Sequence, residues 1–394
     1  MYPKLNLIFF THPNFLGHQS MPRFAKMLAE GMAKRGHQVE IWSPKPAFYN
    51  LPFPKAFKKW LGYLDQYLLF PAKTQSKLKV LNPDTLFVLT DHALGPWLPL
   101  VSNRPHVVHC HDFLAQQSAL GLIPQNPTSF TGKKYQAYIR YGYSQGKNFI
   151  SVSKKTQADL HQFVDPFNIN SNVVYNGLNQ NFVAIDSSTA RKELSAKTGL
   201  DLSNGYLLHI GGNQWYKNRT GVIEIYDAWR SISNLNLPLL LIGELPDEKL
   251  LERTEKSAYK SSIHYFNNIE DQLISAAYSG ASVFLFPSLA EGFGWPIAEA
   301  MACGCPVVTT SEAPMTEVAG DTGFLIRKQP QDLVNIKMWA QEAAKTVEEI
   351  INLAPVEKAN VVSAGIENAR RFNADLALNQ IEEIYQKILQ KPTA

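Results

Sequence analysis

Short apolar runs alternate with helix-like stretches along most of the chain. The first series of apolar runs reads LNLIFF, QVEIWSP, TLFVLT, HVVHC, NFISVS and NVVYNG. This alternation is typical of parallel strands joined by crossover helices, because strands covered on both faces are apolar along their whole length. The pattern begins again with YLLHIGG, LPLLLIG, SIHYF, SVFLFPS and CPVVTT. Two similar series predict an α/β protein with two doubly wound parallel sheets.

A polar segment with little strand character separates the two series. It covers residues 178–205, and the second series starts at Tyr206. A length of 394 residues also exceeds what one compact core usually contains, which favours two domains. We therefore predict an N-terminal domain over residues 1–185, a C-terminal domain over residues 186–372, and a C-terminal helix, residues 373–394, that packs back on the N-terminal domain.

Composition narrows the function classes. The chain has 45% hydrophobic and 18% charged residues, which is typical of a folded globular protein. Its formal net charge of +4 is far from the basic excess of a nucleic-acid-binding protein. No apolar run approaches the roughly 20 residues that span a bilayer. We therefore expect a cytoplasmic protein, with its three cysteines serving as small packing residues.

Lysines and aromatic residues are interleaved in one segment, residues 54–73. The basic side chains there include Lys55, Lys58 and Lys59, and they alternate with Phe57 and Trp60. An ordinary amphipathic helix explains this composition. Contact with a membrane surface is the alternative, and it would make the protein peripheral at the inner membrane face.

A glycine-rich loop, LAEGFGW, joins the predicted strand SVFLFPS to a predicted helix with Pro296 at its first position. Gly292 and Gly294 let the backbone approach a ligand, and the free N–H groups of the helix favour a phosphate there. Glu291 precedes the glycines and Glu299 lies about one turn into the helix. Carboxylates are good acceptors for paired hydroxyls, so the loop predicts a sugar on each side of a diphosphate. Alternatively, both glutamates simply face solvent or cap the helix.

The same glycines are also compatible with a dinucleotide-binding fingerprint. In that fingerprint, however, Pro296 and Ile297 would occupy the places of a spacer and of the third glycine. The loop therefore argues against a nicotinamide cofactor.

The stretch PSLAEGFGWPIAEAMACGCPVVTT closely resembles the E-x7-E region of the retaining GT-B glycosyltransferases, the family of sucrose and glycogen synthases. The resemblance extends to SMPRFAKMLAEGMAKRGHQVEIWSP, ISVSKKTQADL, VVYNGLNQNF and HIGGNQWYKNRTGVIEIY, and so spans nearly the whole chain. It implies the GT-B fold, in which two Rossmann-like domains face each other across a cleft. It also implies transfer of a hexosyl unit from a UDP- or GDP-sugar to a hydroxyl of a saccharide or lipid-linked saccharide, with retention of anomeric configuration.

The resemblance also implies roles for individual residues. Lys217 and Arg219 would neutralise the departing diphosphate, although Asn213 stands where the family often has an arginine. Glu291 and His111 would contact the transferred sugar. The rest of the donor site would consist of Glu299 at the ribose and of Gly17, Gly212, Asn213, Gly292, Phe293 and Gly294.

The first half of the chain would supply the acceptor side, with His18 and Asp112 as candidates. Asp91 either lines that side or caps a helix. We expect His12 to be structural. No metal-binding D-x-D motif stands in the expected site, so a metal-independent reaction without a cofactor is anticipated. Two other functions stay open: a sugar-nucleotide epimerase of the same fold, and a non-catalytic protein that binds a sugar nucleotide or glycan.

Overall fold

The computed structural model describes residues 3–17, 20–178 and 182–390. The chain folds into two compact units. Unit 1 contains residues 1–177 and 374–394, and unit 2 contains residues 178–373. The chain therefore leaves unit 1 once and returns to it for its last helix.

The described residues of unit 1 form six strands and seven α-helices. Its strands are β1 (Asn6–Phe10), β2 (Gln38–Trp42), β3 (Leu86–Leu89), β4 (His106–Cys110), β5 (Asn148–Ser151) and β6 (Asn170–Val173). Its helices in the described residues are α1 (Ser20–Lys34), α2 (Lys55–Leu64), α3 (Phe70–Leu78), α4 (Leu114–Ala119), α5 (Phe130–Tyr143), α6 (Lys154–Leu160) and, at the end of the chain, α15 (Ala374–Gln390). A π-helical segment, Asp65–Leu69, joins α2 to α3.

The six strands of unit 1 form one parallel sheet in the order β2-β1-β3-β4-β5-β6. Side chains alternate between the two faces of the sheet, because successive residues of a strand point in opposite directions. Along β1, Leu7 and Phe9 pack with α1 and α15, whereas Ile8 and Phe10 pack with the helices on the other face. Both faces are therefore buried along the inner strands β1, β3, β4 and β5, which is why these strands read as apolar runs. The edge strands β2 and β6 are more polar and more exposed.

Unit 2 repeats this architecture. Its strands are β7 (Leu207–Gly211), β8 (Leu239–Gly243), β9 (Ile263–Phe266), β10 (Val283–Phe286), β11 (Val307–Thr310) and β12 (Phe324–Ile326). Its helices are α7 (Ser187–Thr198), α8 (Arg219–Arg230), α9 (Glu248–Glu255), α10 (Asp271–Gly280), α11 (Trp295–Ala302), α12 (Met315–Ala319), α13 (Leu333–Ile351) and α14 (Pro355–Ala369). The sheet is parallel, in the order β12-β11-β10-β7-β8-β9.

The core of unit 2 lies on both faces of its sheet. On one face, Leu239 and Leu241 of β8 join Trp229 of α8 and Val347 of α13 in a single buried cluster. Leu240, between the two leucines, is also fully buried, on the opposite face. The structure thus confirms the predicted pair of doubly wound parallel sheets.

Candidate active site

Two neighbouring strands of unit 2 bring the candidate residues together. β7 and β10 are adjacent and parallel, so the loops that follow them leave the same edge of the sheet. The β7 loop carries Lys217 and the β10 loop carries Glu291, and the carboxyl ends of the two strands therefore place both residues at one site.

Lys217 and Glu291 form an ion pair. Lys217 Nζ lies 2.8 Å from Glu291 Oε1, and the two side chains are only 16% and 8% exposed. The hydroxyl of Ser288 donates to the same carboxylate oxygen at 2.8 Å. No hydrogen bond to Glu291 Oε2 is recorded within the described ranges, so this oxygen is the one that a further donor group would reach. Phe286, whose ring centroid is 5.1 Å from Lys217 Nζ, provides an apolar floor.

Asn218 ties the two loops together. It adopts a left-handed conformation with φ +54° immediately before α8, and its side-chain oxygen accepts a hydrogen bond from the Gly221 N–H at 3.2 Å. Its amide nitrogen donates to the carbonyl of Pro287 at 2.9 Å. The Leu289 N–H donates to the Tyr216 carbonyl at 2.8 Å. The position of Lys217 relative to Glu291 is thus fixed by contacts on both sides of the pair.

The glycine loop leads into α11 through Gly294, which has φ +99° and is therefore in a conformation that side chains disfavour. The helix begins at Trp295, so Pro296 occupies its second position. The sequence pattern had predicted the first position. A missing N–H is harmless at either place, because the first turn has no intrahelical acceptors for its donors. The Phe293 side chain is buried against the ring of Phe372, with centroids 5.4 Å apart, and so it anchors the loop.

Glu299 projects from the first turns of α11 and is bonded by Tyr278. The Tyr278 hydroxyl donates to Glu299 Oε2 at 2.9 Å. Although part of the residue is accessible to solvent, burial raises the pKa of Glu299 to about 7, and the Tyr278 hydrogen bond and the positive charge of Lys217 oppose this rise. Glu299 therefore exchanges its proton near neutral pH.

Arg219, Asn213 and Gly212 lie together beside this group. Arg219 Nη1 donates to the side-chain oxygen of Asn213 and, at 2.9 Å, to the carbonyl of Glu244. The Asn213 N–H donates to Glu244 Oε2 at 2.9 Å. A Cβ atom on Gly212 would lie 2.6 Å from Oε1 of the exposed Gln214 side chain, so a larger residue at this position would displace that side chain. Lys217 thus forms an ion pair with Glu291, whereas Arg219 forms hydrogen bonds with Asn213 and Glu244.

The candidates in unit 1 follow β1 and β4. His111 Nε2 donates to the Thr90 carbonyl at 2.9 Å, and burial lowers the pKa of this imidazole. The carboxylate of Asp112 accepts the Leu114 N–H at 3.0 Å at the start of α4. Gly17 has φ +78° and open space around its Cα. His18 lies outside the described residues.

Asp91 lies at the centre of a cluster with His12 and His92, which the sequence did not predict to lie together. It caps the turn after β3 by accepting the Ala93 N–H at 3.0 Å, and its other oxygen lies 2.9 Å from His12 Nε2. His92 Nδ1 lies 3.1 Å from the carboxylate. Burial alone would raise the pKa of Asp91, but the hydrogen bond with His12 and the nearby His92 ring hold that pKa well below its usual value. The cluster therefore keeps an ionised carboxylate at the carboxyl edge of the sheet.

In the described ranges, no three His, Cys, Asp or Glu side chains are arranged to hold a metal ion. The three cysteines, Cys110, Cys303 and Cys305, are buried thiols. His109 is also buried, and burial lowers its pKa to about 3, so this ring is neutral at physiological pH.

Two family models cover most of the chain. The model described as Glycosyltransferase Family 4 matches residues 21–182, and the one described as Glycosyl transferases group 1 matches residues 205–340. The chain belongs to the group 1 glycosyltransferase family. It is thus a glycosyltransferase, as the resemblance of the glycine loop implied.

Individual members of the family show how far the similarity extends. The O-antigen chain mannosyltransferase B of Escherichia coli is 33% identical over 133 residues, which are 33% of this chain and 35% of that protein. The N-acetyl-alpha-D-glucosaminyl L-malate synthase of Bacillus anthracis is 25% identical over 383 residues, 92% of each chain. The second relative therefore matches both units, whereas the first matches only about a third of either protein.

A solved structure shares the fold of this chain. The Anabaena protein HepE in complex with UDP and glucose superposes with a TM-score of 0.68 at 19% identity, over 97% of this chain and all of that chain. Together with the two parallel sheets, this similarity confirms the GT-B fold, with one Rossmann-like sheet in each unit.

Proposed function

We propose that this glycosyltransferase moves a hexosyl unit from a nucleoside diphosphate sugar, with UDP or GDP as the carrier, to a hydroxyl of a saccharide or lipid-linked saccharide. The observation that carries the proposal is the Lys217–Glu291 pair at the carboxyl ends of β7 and β10, with Glu299 nearby on α11. The names of the relatives support a sugar substrate, since they include a mannosyltransferase of an O-antigen chain and a protein solved with UDP and glucose.

In this proposal the three side chains divide the donor between them. Glu299 accepts hydrogen bonds from the ribose hydroxyls, and Glu291 accepts them from the transferred sugar through Oε2. Lys217 neutralises the diphosphate as the bond between the anomeric carbon and the phosphate oxygen breaks. Its ammonium reaches that position by a small displacement from Glu291 Oε1, 2.8 Å away. N–H groups of the Gly292–Gly294 loop and of Gly212 complete the phosphate site. The Asn213 N–H joins them by exchanging Glu244 Oε2 for an oxygen of the nucleotide-sugar donor.

Three residues of unit 1 complete the assignment. His111 contacts the sugar, Gly17 offers its backbone, and Asp112 faces the acceptor. The incoming hydroxyl loses its proton to the departing phosphate on the same face of the sugar, and the anomeric configuration is retained. Because Lys217 supplies the positive charge, the reaction needs no metal ion. Arg219 supports this loop through Asn213.

A donor panel tests the proposal. UDP-, GDP- and ADP-sugars are added to the wild type and to Glu299→Ala, and thermal stability and turnover are measured with and without EDTA. We expect one nucleotide sugar to raise the wild-type melting temperature, a weaker rise in Glu299→Ala, and product with the donor's anomeric configuration by NMR. If no nucleotide sugar stabilises the wild type, the donor assignment is wrong. Conversion of the donor without an acceptor would instead identify an epimerase, and binding without any product would identify a non-catalytic protein.

We further propose that α2 contacts an anionic membrane surface. Phe57, Trp60 and Leu64 are spaced at three and four residues, and they are 55%, 61% and 42% exposed. The chain has no acidic residue between Glu40 and Asp65, so the lysines beside this face have no local counter-charge in the sequence. Basic and aromatic residues on one helix face favour the interface of an anionic bilayer. No helix in the described part of the chain has the length and apolar character to cross a membrane.

Vesicle sedimentation tests this contact. The wild type should pellet with vesicles that contain phosphatidylglycerol and remain in solution with pure phosphatidylcholine. The Phe57→Ser/Trp60→Ser variant should lose the pelleting. Phe167→Ser, which changes a side chain that is 95% exposed elsewhere in unit 1, is the control. Equal pelleting of the double variant and the wild type would exclude α2 as the contact.

A further inference from the structure

Unit 1 contains a cavity that the proposed reaction does not use. It has a volume of about 450 Å³ and lies between β2, the edge strand of the sheet, and the helical segment from Asp65 to Lys77. This volume is in the range of small-molecule sites, which run from about 300 to 1,000 Å³. None of the residues assigned above to donor or acceptor lines it.

Three lysines surround the cavity: Lys45, Lys73 and Lys77. None of their ammonium groups forms an ion pair or a hydrogen bond with another residue in the described ranges. The two carboxylates of the lining are already engaged. Asp65 accepts three main-chain N–H groups at 2.9 to 3.1 Å, and Glu40 accepts the Trp42 indole N–H at 2.8 Å. N–H donors do not neutralise these carboxylates, so the lining carries three ammonium groups against two carboxylates, a net charge of +1. The ammonium groups form no ion pair with either carboxylate, which favours an anionic ligand.

The remaining wall is mainly apolar, with Ser43 and Thr74 as its polar members. Trp42 and Phe70 line the cavity and are themselves almost fully buried, at 6% and 7% exposure. Lys77 Nζ lies 4.3 Å from the centre of the Trp42 ring. An anionic group that reaches Lys77 would thus leave the rest of its molecule against aromatic surface. The ligand should combine a charged head with an apolar body.

The open edge of β2 adds a main-chain donor. The Gln38 N–H donates to the Leu5 carbonyl, and the Trp42 carbonyl accepts the Thr11 N–H, so residues 38 and 42 face β1. Main-chain groups alternate in direction along a strand, and Ile41 therefore directs its N–H away from β1 toward the free edge. Ile41 also lines the cavity. Such an outward N–H suits an oxygen of a phosphate group.

From these features we propose that unit 1 carries a binding site for an organic phosphate, with its head at Lys73 and Lys77 and its apolar body on Trp42 and Phe70. A soluble phosphate ester and the headgroup region of an anionic lipid share this chemistry. The site goes beyond the proposed transfer reaction and does not depend on it.

Calorimetric titration with phenyl phosphate tests the site. The wild type should bind it saturably, and inorganic phosphate, which lacks the ring, should bind at least tenfold more weakly. Lys73→Gln/Lys77→Gln should lower the affinity for phenyl phosphate at least tenfold. Lys133→Gln/Lys134→Gln, which removes the same charge from α5, should leave it unchanged. Circular dichroism of both variants checks that they fold.

Three results would overturn the proposal. The first is a lack of saturation by about 10 mM phenyl phosphate, since such binding is weaker than any useful affinity. The second is an equal loss of affinity in both double-lysine variants, and the third is displacement of phenyl phosphate by UDP, which would place phenyl phosphate in the donor site. A second arm uses vesicles that contain phosphatidic acid. Vesicle binding that depends on Lys73 and Lys77 identifies a lipid as the source, and binding of phenyl phosphate alone identifies a soluble ester.

Discussion

The ammonium group of Lys217 has three contacts at the carboxyl ends of β7 and β10: the carboxylate of Glu291, the ring of Phe286 and the ring of Tyr216. A buried ammonium in such a place is oriented before the leaving group develops its charge, so little reorganisation is needed during the reaction. In an exposed pair the same charge would be largely screened.

We expect Lys217→Ala to lower kcat by about a hundredfold with a smaller change in KM, because the lost interaction is strongest when the diphosphate departs. Steady-state kinetics with the donor identified by the panel measure this. Lys192→Ala, which removes an exposed lysine from α7, is the matched control. A kcat close to that of the wild type would remove Lys217 from the mechanism.

Donor affinity should depend on pH through Glu299. Its pKa of about 7 is raised above the ordinary value, so the carboxylate gains its proton as the pH falls through neutrality and then accepts fewer hydrogen bonds from the ribose. We expect UDP affinity to rise between roughly pH 6 and pH 8. Calorimetry across this range measures the midpoint.

Two variants check the assignment of this titration. Glu299→Gln cannot titrate, and its UDP affinity should be flat over the same range. Tyr278→Phe removes a hydrogen bond that lowers the pKa of Glu299, so its midpoint should move to higher pH. A midpoint that persists in Glu299→Gln would show that another group is responsible.

At this scale the sequence predicted some contacts and missed others. Lys217 and Glu291 could be placed in loops at strand ends, since parallel strands leave the same edge of a sheet. The hydrogen bonds from the Ser288 and Tyr278 hydroxyls to the two glutamates could not be predicted. They depend on side-chain rotamers and on the packing of residues that are distant in sequence. Asn218 carried a usable signal, since asparagine before a helix is a common cap.

Among the elements, the helical segment after β2 depends on one buried carboxylate. Asp65 stands in the π-helical segment between α2 and α3 and is 1% exposed. It accepts the N–H groups of Ala47, Phe48 and Tyr49. One side chain thus holds both the loop before α2 and the wall of the lysine-lined cavity.

Asp65→Ala should destabilise the protein by about 3 kcal/mol or more, because three main-chain N–H groups lose a buried acceptor. Urea unfolding followed by circular dichroism measures the change. Asp84→Ala, at an exposed carboxylate of the same unit, should stay within about 0.5 kcal/mol of the wild type. Similar stability of the two variants would mean that water replaces the lost acceptor.

The elements themselves were predicted well where apolar patterning is strong. Both sheets follow from continuous apolar strands, and α15 follows from apolar residues at helical spacing. The cavity beside β2 was not predicted, because its walls come from two segments whose packing no local pattern describes.

For the molecule as a whole, α15 belongs to the core of unit 1 although unit 2 precedes it in the chain. Leu378, Ile381 and Tyr385 pack in the same buried cluster as Leu7 and Phe9 of β1. The Tyr385 hydroxyl lies 2.8 Å from His109 Nε2. The largely buried Glu382 side chain lies 3.0 Å from His37 Nε2 and 3.4 Å from Arg35 Nε.

Tyr385→Ala should cost about 3–5 kcal/mol, as truncation of a buried aromatic residue does. Because Tyr385 packs within unit 1, the loss should be confined to that unit. Hydrogen exchange should therefore accelerate in β1 and α15, while the peptides of unit 2 and its affinity for UDP stay unchanged. Tyr385→Phe, which removes only the hydroxyl, should lose about 1–3 kcal/mol. Faster exchange in unit 2 as well would show that the two units unfold together.

The interrupted course of unit 1 also sets an order for its synthesis. All of unit 2 is translated before α15, which shares the covering of Leu7 and Phe9 with α1, leaves the ribosome. At the usual speed of about 5–20 residues per second, the nascent first sheet waits roughly ten to forty seconds with that apolar face covered by α1 alone. During this interval the emerging polypeptide presents the kind of surface that chaperones bind.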